Sequence, residues 1–198
     1  MTRREKIFQL VDESLQPKFE KSLDLIDDYY TGNKEAIQSY FIKSINSLIE
    51  LVKSQQERGI KRDIAYMNIC FLRSSVLTES YDFMISLYDD KFYLDKTETH
   101  IYFKLDFIFE HINKDIDEIR KEFLIYPAIK KYELKEIRFS YAQYHFIYAM
   151  KIIQKLCEDI GIKSHLLTFE DLNIKEDFKI IIGGHMEEGL LIGKEAQL

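Results

Sequence analysis

"IAYMNICFLRSSVLTESYDFMISLYD", residues 64–89, decides the fold class, because it breaks the helical period that precedes it and begins a strand-like one. Residues 64–77 are rich in β-branched and aromatic side chains and show no helical stripe. From 80 to 89 the pattern alternates, with Tyr81, Phe83, Ile85 and Leu87 on one side and Asp82, Met84, Ser86 and Tyr88 on the other. Strand side chains repeat with a period of two in this way. The two runs, separated by "TES", predict an antiparallel hairpin. "KFYLD" (91–95) and "THIYFKL" (99–105) predict further short strands of a meander.

Toward the N-terminus, Ile7, Leu10, Val11, Leu15, Phe19, Leu23 and Ile26 recur near the helical period. Pro17 lacks an N–H and crowds the preceding turn, which predicts a kink or two helices meeting near Leu15. "TGN" (31–33) predicts a break, with Gly32 free to take positive φ and Asn33 a cap. A second helix over about 34–58 carries Ile37, Phe41, Ile45, Leu48 and Val52, and Gly59 stands where a terminating glycine belongs. Residues 1–60 therefore read as an N-terminal helical hairpin, an appendage or layer of an α+β domain over 61–198.

Toward the C-terminus, Leu105, Ile108, Phe109, Ile112, Ile116, Ile119 and Phe123 mark a third helix, with Asp115, Asp117 and Glu118 assigned to its solvent side. Pro127 breaks it, and a long helix over 134–160 follows, ended by Gly161. The tail holds three apolar runs of strand length, "SHLLTF" (164–169), "FKIII" (178–182) and "GLLIG" (189–193). The expected fold is α+β. An antiparallel sheet of about four to six strands, formed by a hairpin or meander over 64–105 plus C-terminal strands, packs against long amphipathic helices.

Composition bounds the function. The 198 residues carry 28 Lys and Arg against 34 Asp and Glu, a net charge of −6. Such a chain is repelled by nucleic acid and anionic membranes unless a basic face overrides its field, and "RGIKR" (58–62) and "IKKYELKEIR" (129–138) are short or diluted by glutamate. No apolar run approaches the roughly 20 residues of a membrane span, and the N-terminus lacks a signal-peptide core. Cys70 and Cys157 stand alone in apolar sequence, with no CxxC or disulfide framework. The expected setting is cytoplasmic, with neither nucleic acid nor membrane as partner.

Two constellations carry candidate chemistry. In "IIIGGHMEEGLLIG" (180–193), His185 and Glu187 alternate onto one side of an extended chain and could contribute two metal ligands. Zinc needs at least three protein ligands, and the same residues serve equally as a polar hairpin tip between apolar strands. On the 134–160 helix, Arg138, Tyr141, His145 and Tyr148 are spaced by three, four and three, with Tyr144 beside them. Such a stripe either orients a small anionic ligand through charge, hydroxyls and a titratable imidazole, or sits at a helix seam with its polar tips satisfied. Arg73 reads as a strand-end residue reaching solvent, or as a buried partner of Asp82.

Nucleotide, dinucleotide, α/β-hydrolase, zincin and EF-hand signatures are missing, so no cofactor is expected. The sequence leans away from catalysis, toward a regulatory, inhibitor- or adaptor-like interaction protein. Its acidity suits a basic protein partner, and its N-terminal amphipathic helices suit self-association as a homodimer. The alternative is a ligand-binding protein or enzyme that uses the Arg138, Tyr141, His145 and Tyr148 stripe.

Overall fold

The computed structural model describes residues 2–123, 129–160, 169–187 and 189–192. Five strands form one sheet in the order β3-β2-β1-β4-β5, with β1 at Ile64–Phe71, β2 at Phe83–Tyr88, β3 at Thr99–Phe103, β4 at Ile174–Gly184 and β5 at Gly189–Ile192. The helices are α1 (Arg3–Gly32), α2 (Lys34–Glu57), α3 (Arg73–Leu77), α4 (Asp106–Glu122) and α5 (Lys131–Ile160). The chain is α+β, as its sequence predicts.

The sheet is mixed rather than antiparallel. β1 pairs antiparallel with β2, from Tyr66 opposite Tyr88 to Phe71 opposite Phe83, but it pairs parallel with β4, from Tyr66 opposite Lys179 to Phe71 opposite Gly184. Parallel neighbours need a long crossover, and the chain between β1 and β4 contains α4 and α5. β2 pairs antiparallel with β3, and β4 with β5. All six residues of β2 are buried, so neither of its alternating faces meets solvent.

Three local expectations change. The run 64–77 is strand only to Phe71, after which α3 turns the chain toward β2. "KFYLD" forms a short 3-10 turn at Phe92–Leu94 instead of a strand. α1 runs through Pro17 without interruption, and Gly32 stays helical; the stop comes at Asn33, whose backbone and side-chain N–H groups both donate to the Tyr29 carbonyl at 3.0 and 2.9 Å. Gly59, by contrast, takes φ +68° just past the end of α2, the left-handed conformation that terminating glycines supply. The expected break at Pro127, the stop at Gly161 and the run at 164–168 lie outside the described residues.

The chain groups into two compact units. The first comprises Met1–Lys34, Ser74–Tyr81 and Leu105–Ala149, and so holds α1, α4 and most of α5. Its core is built from Ile7, Val11, Leu15 and Ile26 of α1, Ile108, Ile112, Ile116 and Ile119 of α4, and Ile137, Ala142, Phe146 and Ala149 of α5, all buried. The second comprises Glu35–Arg73, Asp82–Lys104 and Met150–Leu198, with the whole sheet, α2 and the end of α5. There Phe41 of α2 meets Phe103 of β3 edge-on at 5.2 Å. A buried Lys61–Asp95 pair at 2.6 Å ties the approach to β1 to the loop before β3. Among the described residues no helix is long and apolar enough to cross a membrane.

Candidate functional site

In the first unit, the polar residues of α5 point to different fates. Tyr141 is buried, and its hydroxyl donates to Asp115 of α4 at 2.6 Å. Asp115 is therefore not on the solvent side: it lies three residues after Ile112 and four before Ile119, on the same face as the buried isoleucines. Burial first, and then the Asp115 carboxylate, push the Tyr141 phenol far above its ordinary value, so it remains a donor.

His145 is fully buried, enclosed by Phe19 at 5.0 Å and Tyr141 at 4.8 Å between ring centres. Its Nδ1 lies 3.3 Å from the Tyr141 carbonyl one turn earlier, and its Nε2 has no hydrogen-bond partner among the described residues. Burial pushes the imidazole down to about 4, with the Tyr141 carbonyl opposing and His111 adding to the shift. The imidazole is thus held neutral near pH 7 and enclosed by aromatic rings.

Arg138 belongs to a separate cluster. Its guanidinium donates to the Asn113 side chain and the Tyr81 hydroxyl, and pairs with Glu79 at 3.0 Å. Tyr81 stacks on Phe109 at 5.2 Å. Glu79 and Tyr81 both take positive φ, 58° and 47°, so the segment after α3 is held in a costly conformation by these contacts. Tyr148 donates to Asp27 of α1. Of these five residues Tyr144 alone is exposed, at 46%.

Tyr144 stands at a groove between α1 and α5. Two adjoining cavities of about 280 and 360 Å³ share Asp12, Leu15, Tyr141 and Tyr144. Phe8, Val11, Phe19 and Leu23 extend the wall along α1, with Ile137 on α5. Apart from Asp12 and Glu20 no lining side chain is charged, and both of these are acidic and exposed. The sequence reading missed this groove. Its signal is Phe8, an apolar residue of α1 outside the stripe that runs through Ile7, Val11, Leu15 and Phe19, which broadens the apolar arc.

Ion pairs join α1 to α5 and to α4. Arg3 and Arg4 of α1 pair with Glu133 and Glu136 of α5, and Lys18 of α1 with Glu118 of α4 at 2.6 Å. Glu133 is buried, which alone would raise its pKa, but the Lys130 amide and the Arg3 guanidinium hold it below the usual carboxylate range. A capping box at Thr2 and Glu5 fixes the start of α1 beside these pairs.

In the second unit, β4 and β5 make the hairpin expected at 180–193, with Gly183 opposite Gly189. His185 and Glu187 are committed within it. The His185 Nδ1 lies 3.7 Å from Cys70 Sγ and its ring meets Tyr93 edge-on at 5.4 Å, while Glu187 pairs with Arg73. Arg73 thus sits past the end of β1, mostly exposed, and Asp82 pairs with Lys104 instead. Burial pushes the Cys70 thiol up to about 12, the opposite of an activated nucleophile. Among the described residues no three His, Cys, Asp or Glu side chains gather as a metal would require. The α5 stripe and the His185 turn fall in different units.

Comparison with protein-family models, curated proteins and solved structures finds no match to this chain.

Proposed function

We propose that the chain is a non-enzymatic binding protein whose α1–α5 groove takes an apolar segment from a cationic protein partner. The observation that carries this reading is the groove lining: apolar and tyrosine side chains, with Asp12 and Glu20 as its charges. A segment that presents leucine-like side chains to Leu15, Phe19 and Tyr144, flanked by lysine or arginine, satisfies both features. An adaptor- or inhibitor-like role is the class such a site serves. The cytoplasm is the compartment this reading takes, in keeping with the free, buried thiols of Cys70 and Cys157. The stripe on α5 supports binding over catalysis, since His145 is enclosed and the Tyr141 hydroxyl is engaged with Asp115.

The test is charge reversal. An amphipathic leucine–lysine peptide should bind more tightly than its leucine–glutamate counterpart in fluorescence anisotropy. Asp12→Lys with Glu20→Lys should invert that preference. Equal binding of both peptides, unmoved by the substitutions, would exclude the groove.

One observation favours a second reading. Lys131, Lys135 and Arg138 line a cavity of about 160 Å³ together with Val76, Leu77, Glu79 and Leu134. A small anion with an apolar body fits that lining, with Glu79 as the acid it displaces from Arg138. Calorimetric titration with a short-chain carboxylate, on the native chain and on Arg138→Gln, decides it; no heat from the native chain removes this reading.

A further inference from the structure

Side chains alternate along β1, so Tyr66, Asn68 and Cys70 share one face of the sheet with Tyr88, Ser86 and Met84 opposite them on β2. The other face carries Met67, Ile69 and Phe71 beside Leu87, Ile85 and Phe83. Asn68 and Ser86 are polar and Cys70 carries a thiol, yet none of the three is more than 2% exposed. The connection from β2 to β3 lies over this face.

One carboxylate clamps the two ends of that connection. Asp95 accepts from the Asp89 amide at 3.0 Å, the Thr97 amide at 2.8 Å and the Lys61 ammonium at 2.6 Å. Between the clamped ends, residues 91–94 close on their own backbone: the Phe92 amide donates to the Asp89 carbonyl at 3.2 Å, and the Asp95 amide to the Phe92 carbonyl at 2.9 Å. The tip reaches across the strands. Phe92 meets Tyr66 of β1 and Tyr88 of β2 edge-on at 5.0 and 5.3 Å. The Tyr93 hydroxyl accepts from the Asn68 side chain of β1 at 3.2 Å and from the Met186 amide beyond β4 at 3.1 Å. Phe92 holds φ 53°, a costly conformation for any residue with a Cβ, so the closed position carries strain.

We infer that residues 91–94 are a strap that lifts from the sheet about the clamp at Asp95, with the Tyr93 hydroxyl as its latch, and that lifting it uncovers the Cys70 thiol. The ends stay fixed because their hydrogen bonds converge on a buried ion pair, whereas the tip is tied by one hydroxyl and ring edges. Opening gives up those two hydrogen bonds and releases the strain at Phe92. What it exposes is a thiol beside an imidazole, Cys70 Sγ 3.7 Å from His185 Nδ1, which suits a thiol-reactive electrophile such as a disulfide. The strap does not rest on the groove, whose lining residues belong to the first unit.

Cys157 supplies the control. It lies on α5 in the same unit, is 2% exposed against 0% for Cys70, and burial pushes both thiols up to about 12. A chain that bares its thiols only by unfolding this unit labels both at one rate. The probe is dithionitrobenzoate on the native full chain: the bared sulfur attacks the probe's disulfide, forms a mixed disulfide and releases one thionitrobenzoate, and peptide mapping assigns each label. Cys70 should react at least about tenfold faster than Cys157, the mark of local rather than global opening. Tyr93→Phe keeps the ring and removes the latch, so it should speed Cys70 at least about tenfold further, for two lost hydrogen bonds, and leave Cys157 unchanged. Leu94→Ala, 78% exposed on the same turn, should change neither rate. A common rate for both cysteines, a Tyr93→Phe variant that speeds both alike or neither, or a Leu94→Ala variant as fast as Tyr93→Phe would overturn the strap.

Discussion

The Tyr141 hydroxyl and the Asp115 carboxylate lie 2.6 Å apart, both buried, and join α5 to α4 beneath the groove. Removing the hydroxyl leaves a buried acceptor without its donor, the costly direction of hydrogen-bond loss. Tyr141→Phe should therefore cost about 2 kcal/mol in urea unfolding. The double variant Tyr141→Phe/Asp115→Leu should recover part of that loss, because no orphaned carboxylate remains.

His145 makes stability depend on pH. Its folded pKa, about 4, lies below the usual value of 6.5. Between these values the unfolded chain binds a proton that the folded chain refuses, so stability falls as pH falls through this window. The expected loss from pH 7 to pH 5 is about 2 kcal/mol from this group. His145→Leu should flatten the profile over that interval, measured by urea midpoints at each pH; an unchanged slope would contradict the assignment.

The Lys61–Asp95 pair is buried on both sides, and Asp95 also accepts from the Asp89 and Thr97 amides at 3.0 and 2.8 Å. Burial alone would raise the Asp95 pKa, but Lys61 and these amides outweigh it and hold it below the usual carboxylate range. Its contribution is thus present above the unfolded value near 4 and lost as pH falls through the lower folded value. Lys61→Met should cost about 3 kcal/mol at neutral pH, because it strands the carboxylate. The native-minus-variant gap should shrink on acidification.

Met186 takes φ 59° at the tip of the β4–β5 hairpin, with its side chain exposed. Glycine adopts this conformation without the Cβ clash. Met186→Gly should raise the thermal midpoint by about 1–2 °C, in line with a gain near 0.5 kcal/mol. Calorimetry checks it.

Much of the fold was legible because its long periods are strong. The stripes of α1, α2, α4 and α5 place each helix within a few residues, and Gly59 marks one end. The direction of β4 was not legible: "FKIII" has the same side chains whether it runs parallel or antiparallel to β1, and the long connection through α4 and α5 permits either. "KFYLD" looked like strand because its aromatics suit one, but Phe92 takes φ 53° and starts a 3-10 turn.

At the site, Asp115 was misplaced by its charge although its spacing from Ile112 and Ile119 put it on the buried face. The stripe of Arg138, Tyr141, Tyr144, His145 and Tyr148 was visible in the helical spacing. Its partners were not, since Asp27, Glu79, Tyr81, Asn113 and Asp115 come from three distant stretches. The groove was hidden for a related reason. Phe8 and Phe19 look like ordinary core residues until their neighbours on α5 are known.

The most direct test of the binding reading is amide chemical-shift mapping on the isotope-labelled chain during titration with a leucine–lysine amphipathic peptide. The account predicts saturable shifts confined to the groove, at Leu15, Phe19, Leu23 and Tyr144, and their loss in Asp12→Lys/Glu20→Lys. Shifts centred on Arg138 or on the β4–β5 hairpin, or no saturable shifts at all, would contradict it.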